Sequence, residues 1–403
     1  MKKTVKSILS LMLAFTLVFA MLIPAYAASS SEAETKATAL KQLGLFKGVS
    51  DTDFALDRAP TRTEALVMLI RAMGKESEAL NGTWSHPFTD VPSWADKYVG
   101  YGYEKGLTKG VSATEFGIGN AGSDMYLTFM LRALGYDDSA GDFTWDAPET
   151  LAASVGVMPD GVDTANFTRS DVALVSWAAL EATLKGQSQT LSQKLMEMAT
   201  FASTEYTSAK LFVDQAGGTV VSTPDGLQSA VADENITVIQ IGSDMDISGE
   251  LFVDREEGPE TLIYIKSGVT LTVSGEFSMA GCYVTNDGTM VISGLFGWGL
   301  GSYTNNGTVM IKSGGEFSSG MTDAYNRGTI TVDTDGKLPV ERGTQFYNYG
   351  NIVNNGYISV DNGGSLFNDT GKIENNGTID LNSYFSGNVD AITGTGTVND
   401  NRQ

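Results

Sequence analysis

Cysteine, histidine and basic residues are all scarce in this chain of 403 residues. It has one cysteine, Cys282, and one histidine, His86, and its 26 lysines and arginines face 48 aspartates and glutamates. A lone cysteine excludes an intrachain disulfide; a chain this long can build a core large enough without one. Cys282 is expected as a small buried apolar residue. A formal charge of −22 repels phosphate, so nucleic acid is not an expected partner. Long apolar runs are missing too. Beyond residue 23 no stretch approaches 18 consecutive apolar residues, so no membrane span is expected in the mature chain.

What is present at the start is a leader. Lys2, Lys3 and Lys6 precede an apolar run from Ile8 to Ile23, and Ala25-Tyr26-Ala27 has the small-x-small pattern of a cleavage site. A secretory signal over 1–27 follows, with Ala28 first in the mature chain and a mature charge of −25 once the three lysines are gone. The polar end, Asn399 to Gln403, shows no sorting signal with a hydrophobic tail. About 375 mature residues suggest two or three domains. Composition changes near residue 210, from Ala, Leu and Met at helical spacing to short alternating runs of Gly, Asn, Thr and Val.

The helical half contains a duplication. Gly-Leu-Phe-Lys-Gly-Val-Ser at 44–50 returns as Gly-Leu-Thr-Lys-Gly-Val-Ser at 106–112, and Met-Leu-Ile-Arg-Ala-Met-Gly at 68–74 returns as Met-Leu-Arg-Ala-Leu-Gly at 130–135. In the first unit, a short helix over Ala37–Leu43 is closed by Gly44, and Thr61 and Glu64 have capping-box spacing ahead of a helix through Met73. The second unit adds Phe-Thr-Asp-Val-Pro-Ser-Trp-Ala at 88–95, a helix through Tyr103, and a helix over Met125–Leu134. A third, more divergent unit has Phe-Thr-Trp-Asp-Ala-Pro at 143–148, a loop at 155–161, and Phe-Thr-Arg-Ser-Asp at 167–171 opening a helix over Val172–Leu184.

These motifs resemble the S-layer homology module over roughly 35–187, as three copies at about 35–75, 86–137 and 142–187. The resemblance implies an all-α bundle with pseudo-threefold symmetry, whose grooves hold a secondary cell-wall polysaccharide, often bearing pyruvylated mannosamine. It implies that the Thr-Arg-x-Glu arginine contacts the acidic sugar. Physics alone allows this, because a helix start offers free amides to an anion and an arginine offers a planar fork. The candidate polysaccharide-binding residues are therefore Thr61, Arg62 and Glu64 in the first unit and Thr168, Arg169 and Asp171 in the third. Asp90 and Trp94 are further candidates, although Asp90 could cap a turn and Trp94 could fill the core. The second unit departs from the pattern. Arg62 aligns with Ser123, and the motif reads Gly-Ser-Asp-Met at 122–125, so at most two of three sites look competent.

Residues 188–222 read as a helical linker, and 223–403 as an all-β region opened by a capping helix at Pro224–Ala232. Strand-like runs begin at Ile236–Ile241, Leu262–Ile265 and Val269–Val273. Asn-x-Gly turns then place glycines at 288, 307, 328, 356 and 377, in steps of 19, 21, 28 and 21, with an extra turn around Tyr349-Gly350-Asn351 in the long step. A turn and a strand at a period near 20 predict a right-handed parallel β-helix with stacked asparagines. The generic resemblance is to repeat regions of bacterial surface β-helix proteins.

The expectation is a secreted cell-wall or cell-surface protein: a polymer-binding anchor plus a rod serving as surface-layer, self-associating or adhesive module. No cofactor, metal site or catalysis is expected. The alternative is a wall-anchored carbohydrate-active enzyme, a polysaccharide lyase or glycosidase, with carboxylate pairs such as Asp244/Asp246 or Asp333/Asp335. A third reading has exposed Tyr and Asn rows of the solenoid bind a glycan. The Gly-Gly-x-Gly-x-Asp calcium repeat is absent from the sequence.

Overall fold

The computed structural model of the protein describes residues 32–258 and 260–402. The leader expected at 1–27 lies outside them. The chain forms two compact units that divide between Phe201 and Ala202.

The first unit is helical: α1 (32–42), α2 (Arg62–Ala72), α3 (Glu76–Asn81), α4 (Asp96–Glu104), α5 (Ser123–Ala133), α6 (Glu149–Ser154), α7 (Arg169–Glu181) and α8 (Leu191–Glu197). Helix α2 packs against α4 and α5, α5 against α6 and α7, and α7 against α8. Leu66, Leu69, Ile70, Leu127, Leu131 and Val175 are among the residues that bury on these faces. One helix ending recurs five times, at Gly74 after α2 (Lys75 to Ile70, 2.9 Å), at Gly135 after α5 (Tyr136 to Leu131, 3.0 Å) and at three further places. Gly44, Gly106 and Gly156 take positive φ after α1, α4 and α6, and the next amide turns back to a carbonyl five residues earlier (Leu45 to Leu40, Leu107 to Gly102, Val157 to Ala152, each 2.8 Å). The duplicated loops also fold alike, since Val49 donates to the Asp53 carbonyl at 2.8 Å and Val111 to that of Glu115 at 2.9 Å.

The second unit holds α9 (Ser203–Asp214), α10 (Pro224–Ala232) and a parallel β-solenoid with sheets of nine, eight and seven strands. Successive strands visit the three sheets in turn, so each pairs in parallel with the strand one coil on, as Cys282–Asn286 does with Ser302–Asn305. Side chains alternate in and out. Inward columns run along the axis, for example Leu271, Met290, Val309, Ile330, Ile352 and Ile373. Helix α10 matches its expected bounds and lends Leu227 and Ala230 to this core.

The Asn-x-Gly ladder is two ladders at different corners. In the first, Asn286 donates to Asn305, Asn305 to Asn326, Asn326 to Asn348 and Asn348 to Asn368, at 2.6–2.8 Å. The second runs from Asn354 to Asn375 at 2.8 Å and on to the Thr397 carbonyl. The expected long step of 28 mixed the two corners. Gly350 is no extra turn, because Asn326 and Asn348 are 22 residues apart and Gly350 lies over Gly328 as Gly328 lies over Gly307. A Cβ on Gly307, Gly328 or Gly350 would come within 2.1 Å of the carbonyl oxygen one coil below, which is why glycine holds these places.

The expected linker over 188–222 is divided between the units. Leu191 and Leu195 of α8 bury in the first unit. Helix α9 lies on the outside of the nine-stranded sheet, across Thr261–Ile265, Cys282–Asn286 and Ser302–Asn305. Phe212 meets Tyr264 edge-on at 4.9 Å, and the outward Thr285 and Thr304 are buried. Near its start, Glu205 accepts two bonds from Arg327, both 2.7 Å, and a third from the Ala202 amide, also 2.7 Å.

Candidate functional site

Two helices of the first unit, α2 and α7, begin where candidate residues lie. Thr61 is the N-cap of α2 and forms the full capping box: its amide donates to Glu64 Oε2 at 2.8 Å, and the Glu64 amide donates to Thr61 Oγ1 at 3.2 Å. Arg58 adds a fork to the same carboxylate at 2.9 and 2.6 Å. Burial pushes the Glu64 carboxyl up, but Arg58, the Thr61 amide and Arg169 outweigh it and hold the group at about 2. Thr61 and Glu64 are thus engaged in holding the helix start.

Arg169 is placed inside the fold. It is 1% exposed; Nε donates to the Phe54 carbonyl and Nη2 to the Lys47 carbonyl, both at 2.7 Å, while Nη1 reaches Glu64 Oε1 at 3.4 Å. Its guanidinium also lies over the Phe46 ring, 4.8 Å from the centroid. Every nitrogen of this fork is engaged within the unit, and the side chain ties the start of α7 to the first repeated loop. Asp171 is buried as well, accepting from the Thr168 amide at 2.7 Å, Thr168 Oγ1 at 2.9 Å and the Asp163 amide at 2.8 Å.

Arg62 differs. Its Nη1 points at Met125 Sδ, 3.2 Å away, and its buried Nε has no hydrogen-bond partner. The guanidinium sits 5.6 Å from the centroid of the Phe116 ring, and a Cβ on Gly117 would lie 3.4 Å from Nε. Burial lowers its pKa. No carboxylate pairs with it among the described residues. Asp90 shapes the floor of this place: its carboxylate accepts from the Phe116 and Gly117 amides, each at 2.8 Å. The Phe116 amide above all, with that of Gly117, outweighs burial and holds the Asp90 carboxyl below its ordinary range. Asp90 is therefore a clasp on a loop 26 residues downstream. Trp94 does not fill the core. It is 58% exposed, on a single turn of 3₁₀ helix at Ser93–Ala95. His86 is structural, accepting from the Phe88 amide at Nδ1 (3.1 Å) and facing Asp96 through Nε2 (3.2 Å).

A cleft of about 870 Å³ opens beside these helix starts. Asp57, Asn120, Asp163, Asn166, Ser170 and Asp171 are among its lining, with no lysine or arginine. The candidate residues Thr168 and Asp171 meet there, whereas Arg62 does not line it. Motif reading missed Arg58 and Met125. Met125 had a usable signal, since it occupies the place of Glu64 in the aligned second unit.

In the second unit, three of the four carboxylates noted for hydrolysis serve turns and neighbouring coils. Asp244 accepts from the Thr270 amide at 2.7 Å, Asp246 from Ser274 Oγ at 2.7 Å, and Asp333 from Lys312 Nζ at 3.0 Å. The outward rings Tyr325, Tyr347 and Phe367 stack on one another at 5.2 and 4.6 Å, within 10° of parallel, so their faces are turned to each other. Among the described residues no group of three or more His, Cys, Asp or Glu could hold a metal, and no helix is long and apolar enough to cross a membrane.

Residues 87–121 match the S-layer homology domain. This segment holds Asp90, Trp94 and the second repeated loop. A cell surface protein of Thermoanaerobacter kivui is 28% identical over 197 residues, 44% of this chain and 25% of its own length. A middle cell wall protein of Brevibacillus brevis is 32% identical over 149 residues, 34% and 14% respectively. An endoglucanase of a Bacillus species is 28% identical over 130 residues, 28% and 13%. The chain spans a quarter or less of the length of these curated relatives. The domain match and the surface-protein relatives support a cell-wall or cell-surface location.

Proposed function

We propose that the first unit anchors the chain non-covalently to an anionic secondary polysaccharide of the cell wall, and that the solenoid is the displayed module. The observation that carries this reading is Arg62, a half-buried guanidinium with an unpartnered Nε beside a segment that matches the S-layer homology domain. An arginine fork held without a carboxylate suits an anionic sugar substituent, such as the carboxylate of a pyruvyl ketal.

Three modules around a pseudo-threefold axis fit the recurring geometry. The same glycine turn closes α1, α4 and α6, and again α2 and α5, and the start of each longer helix reaches another: Arg62 to Met125 of α5, Ser123 to the Thr164 carbonyl before α7, and Arg169 to Glu64 of α2. On this reading one arginine groove is open, at Arg62, and that of Arg169 is closed by its own protein. Trp94 and the cleft beside α7 would meet neutral parts of the polymer. The solenoid is assigned a right-handed coil, as parallel crossovers overwhelmingly take.

The second unit is proposed as a structural or adhesive rod, with self-association in a surface layer and no catalysis. Asp244, Asp246 and Asp333 are bonded to turns and adjacent coils, and its aromatic row is stacked on itself. The likeness to an endoglucanase fits a shared anchor carried by proteins with different cargo.

Sedimentation with purified cell-wall sacculi tests the anchor. The protein should co-sediment with intact sacculi and stay in solution with sacculi stripped of secondary polymer by acid. Arg62→Ala should weaken retention by about tenfold or more, as loss of a charge-assisted bond would, and Ser123→Ala should not. Full retention on stripped sacculi, or equal effects of the two substitutions, would overturn the assignment.

A further inference from the structure

The third residue of α2, α5 and α7 is Glu64, Met125 and Asp171, respectively. In α2 and α7 this residue is a carboxylate that accepts the N-cap amide. In α5 it is a thioether, and no side chain caps the helix. The same place also faces the arginine of another helix start. Glu64 receives Arg169 at 3.4 Å, and Met125 receives Arg62 at 3.2 Å. These two pairs form a natural comparison. The arginine opposite a carboxylate is buried, with every nitrogen bonded; the arginine opposite a sulfur keeps a buried Nε without a partner.

We propose that Met125 is the specificity-determining residue of the Arg62 site, and that it selects an anionic sugar substituent by withholding a carboxylate from Arg62. A thioether is a weak, uncharged acceptor. It fills the space beside the guanidinium without neutralising it, so the guanidinium's missing counter-charge comes from the ligand. A glutamate here would do what Glu64 does: accept from the arginine and cap its own helix. The arrangement therefore gives up helix capping and an internal ion pair for a guanidinium without an internal counter-charge. The inference rests on the reading that Arg62 contacts the wall polymer.

The test uses the full mature chain, purified sacculi with and without acid-extractable polymer, and thermal melting. Met125→Glu should raise the melting temperature by a few degrees, as a new cap and ion pair would, while lowering retention by about tenfold or more. Met125→Gln restores the cap without charge and should melt higher with retention unchanged. Met125→Leu keeps volume without the sulfur and should bind as the parent does. A side chain that merely packs would move melting and binding in the same direction. Retention of Met125→Glu at the parental level, with Arg62→Ala defective, overturns the role of Met125 and leaves the anchor intact. Loss of binding in Met125→Leu also overturns it, whether or not the glutamate variant folds. Parental binding by Arg62→Ala instead refutes the site.

Discussion

Replacing Asn305 by leucine would interrupt the first asparagine column at its most enclosed point. Asn305 is fully buried; it accepts from Asn286 Nδ2 and donates to Asn326 Oδ1, each at 2.8 Å. Leucine matches its size and fits the apolar core, so packing changes little. What changes is satisfaction. Asn286 Nδ2 keeps its bond to the Thr308 carbonyl at 3.1 Å but loses one acceptor, and Asn326 Oδ1 loses its donor. A buried polar atom left without a partner costs roughly 1–3 kcal/mol, which Asn326 Oδ1 bears in full and the half-satisfied Asn286 Nδ2 in part, so the expected loss is about 2–4 kcal/mol. Asn305→Asp separates the two roles. It can still accept from Asn286 but, when ionised, cannot donate to Asn326, so its cost should shrink on acidification as the buried carboxyl regains a proton. Asn306, half-buried and bonded to Asp287 at 2.9 Å, is the control, and its alanine variant should cost under about 1 kcal/mol. Urea unfolding of the full chain, resolved by hydrogen exchange of solenoid peptides, measures each value. An Asn305→Leu variant as stable as Asn306→Ala would refute the column as a source of stability.

Acid should weaken the first unit through Glu64. Its carboxyl sits at about 2 in the folded protein against about 4.3 when unfolded, so it contributes stability above pH 4.3 that drains away as pH falls towards 2. The amount is on the order of 2 kcal/mol after discounting for screening at this half-buried position. Glu64→Gln should flatten the pH dependence of melting across that window, and an unchanged slope would contradict the assignment. Cys282 should resist alkylation by iodoacetamide at pH 8 in the native protein and react once urea unfolds the solenoid, because burial pushes its thiol up to about 12. Labelling of the native protein at the rate of a free thiol would show that the site opens.

Local signals were readable and distant ones were not. The capping box of Thr61 and Glu64, the glycine closure at 44, and helix α10 follow from spacing of three or four residues. The solenoid was readable because one coil repeats a strand and a turn. Its two corners were not, because Asn348-Tyr349-Gly350 and Asn354-Asn355-Gly356 obey one turn grammar at different corners. Arg169 fits the same motif as Arg62, yet its partners are main-chain carbonyls more than a hundred residues away, which no side-chain pattern announces. Helix α9 looked like a linker because its amphipathic face is short, and the sheet it covers lies later in the chain.

Helix α9 acts on the solenoid as a splint does on a jointed rod. Stacked coils ordinarily open one at a time from a free end, since each touches only its neighbours. Here a single rigid element is laid across coils that include Tyr264, Thr285 and Thr304, with Phe212 holding one end and Glu205 bolted to Arg327 at the other. Any covered coil that opens must shed contacts belonging to all of them, so this stretch yields as a block. The coils beyond Arg327 lack the brace and are free to loosen singly.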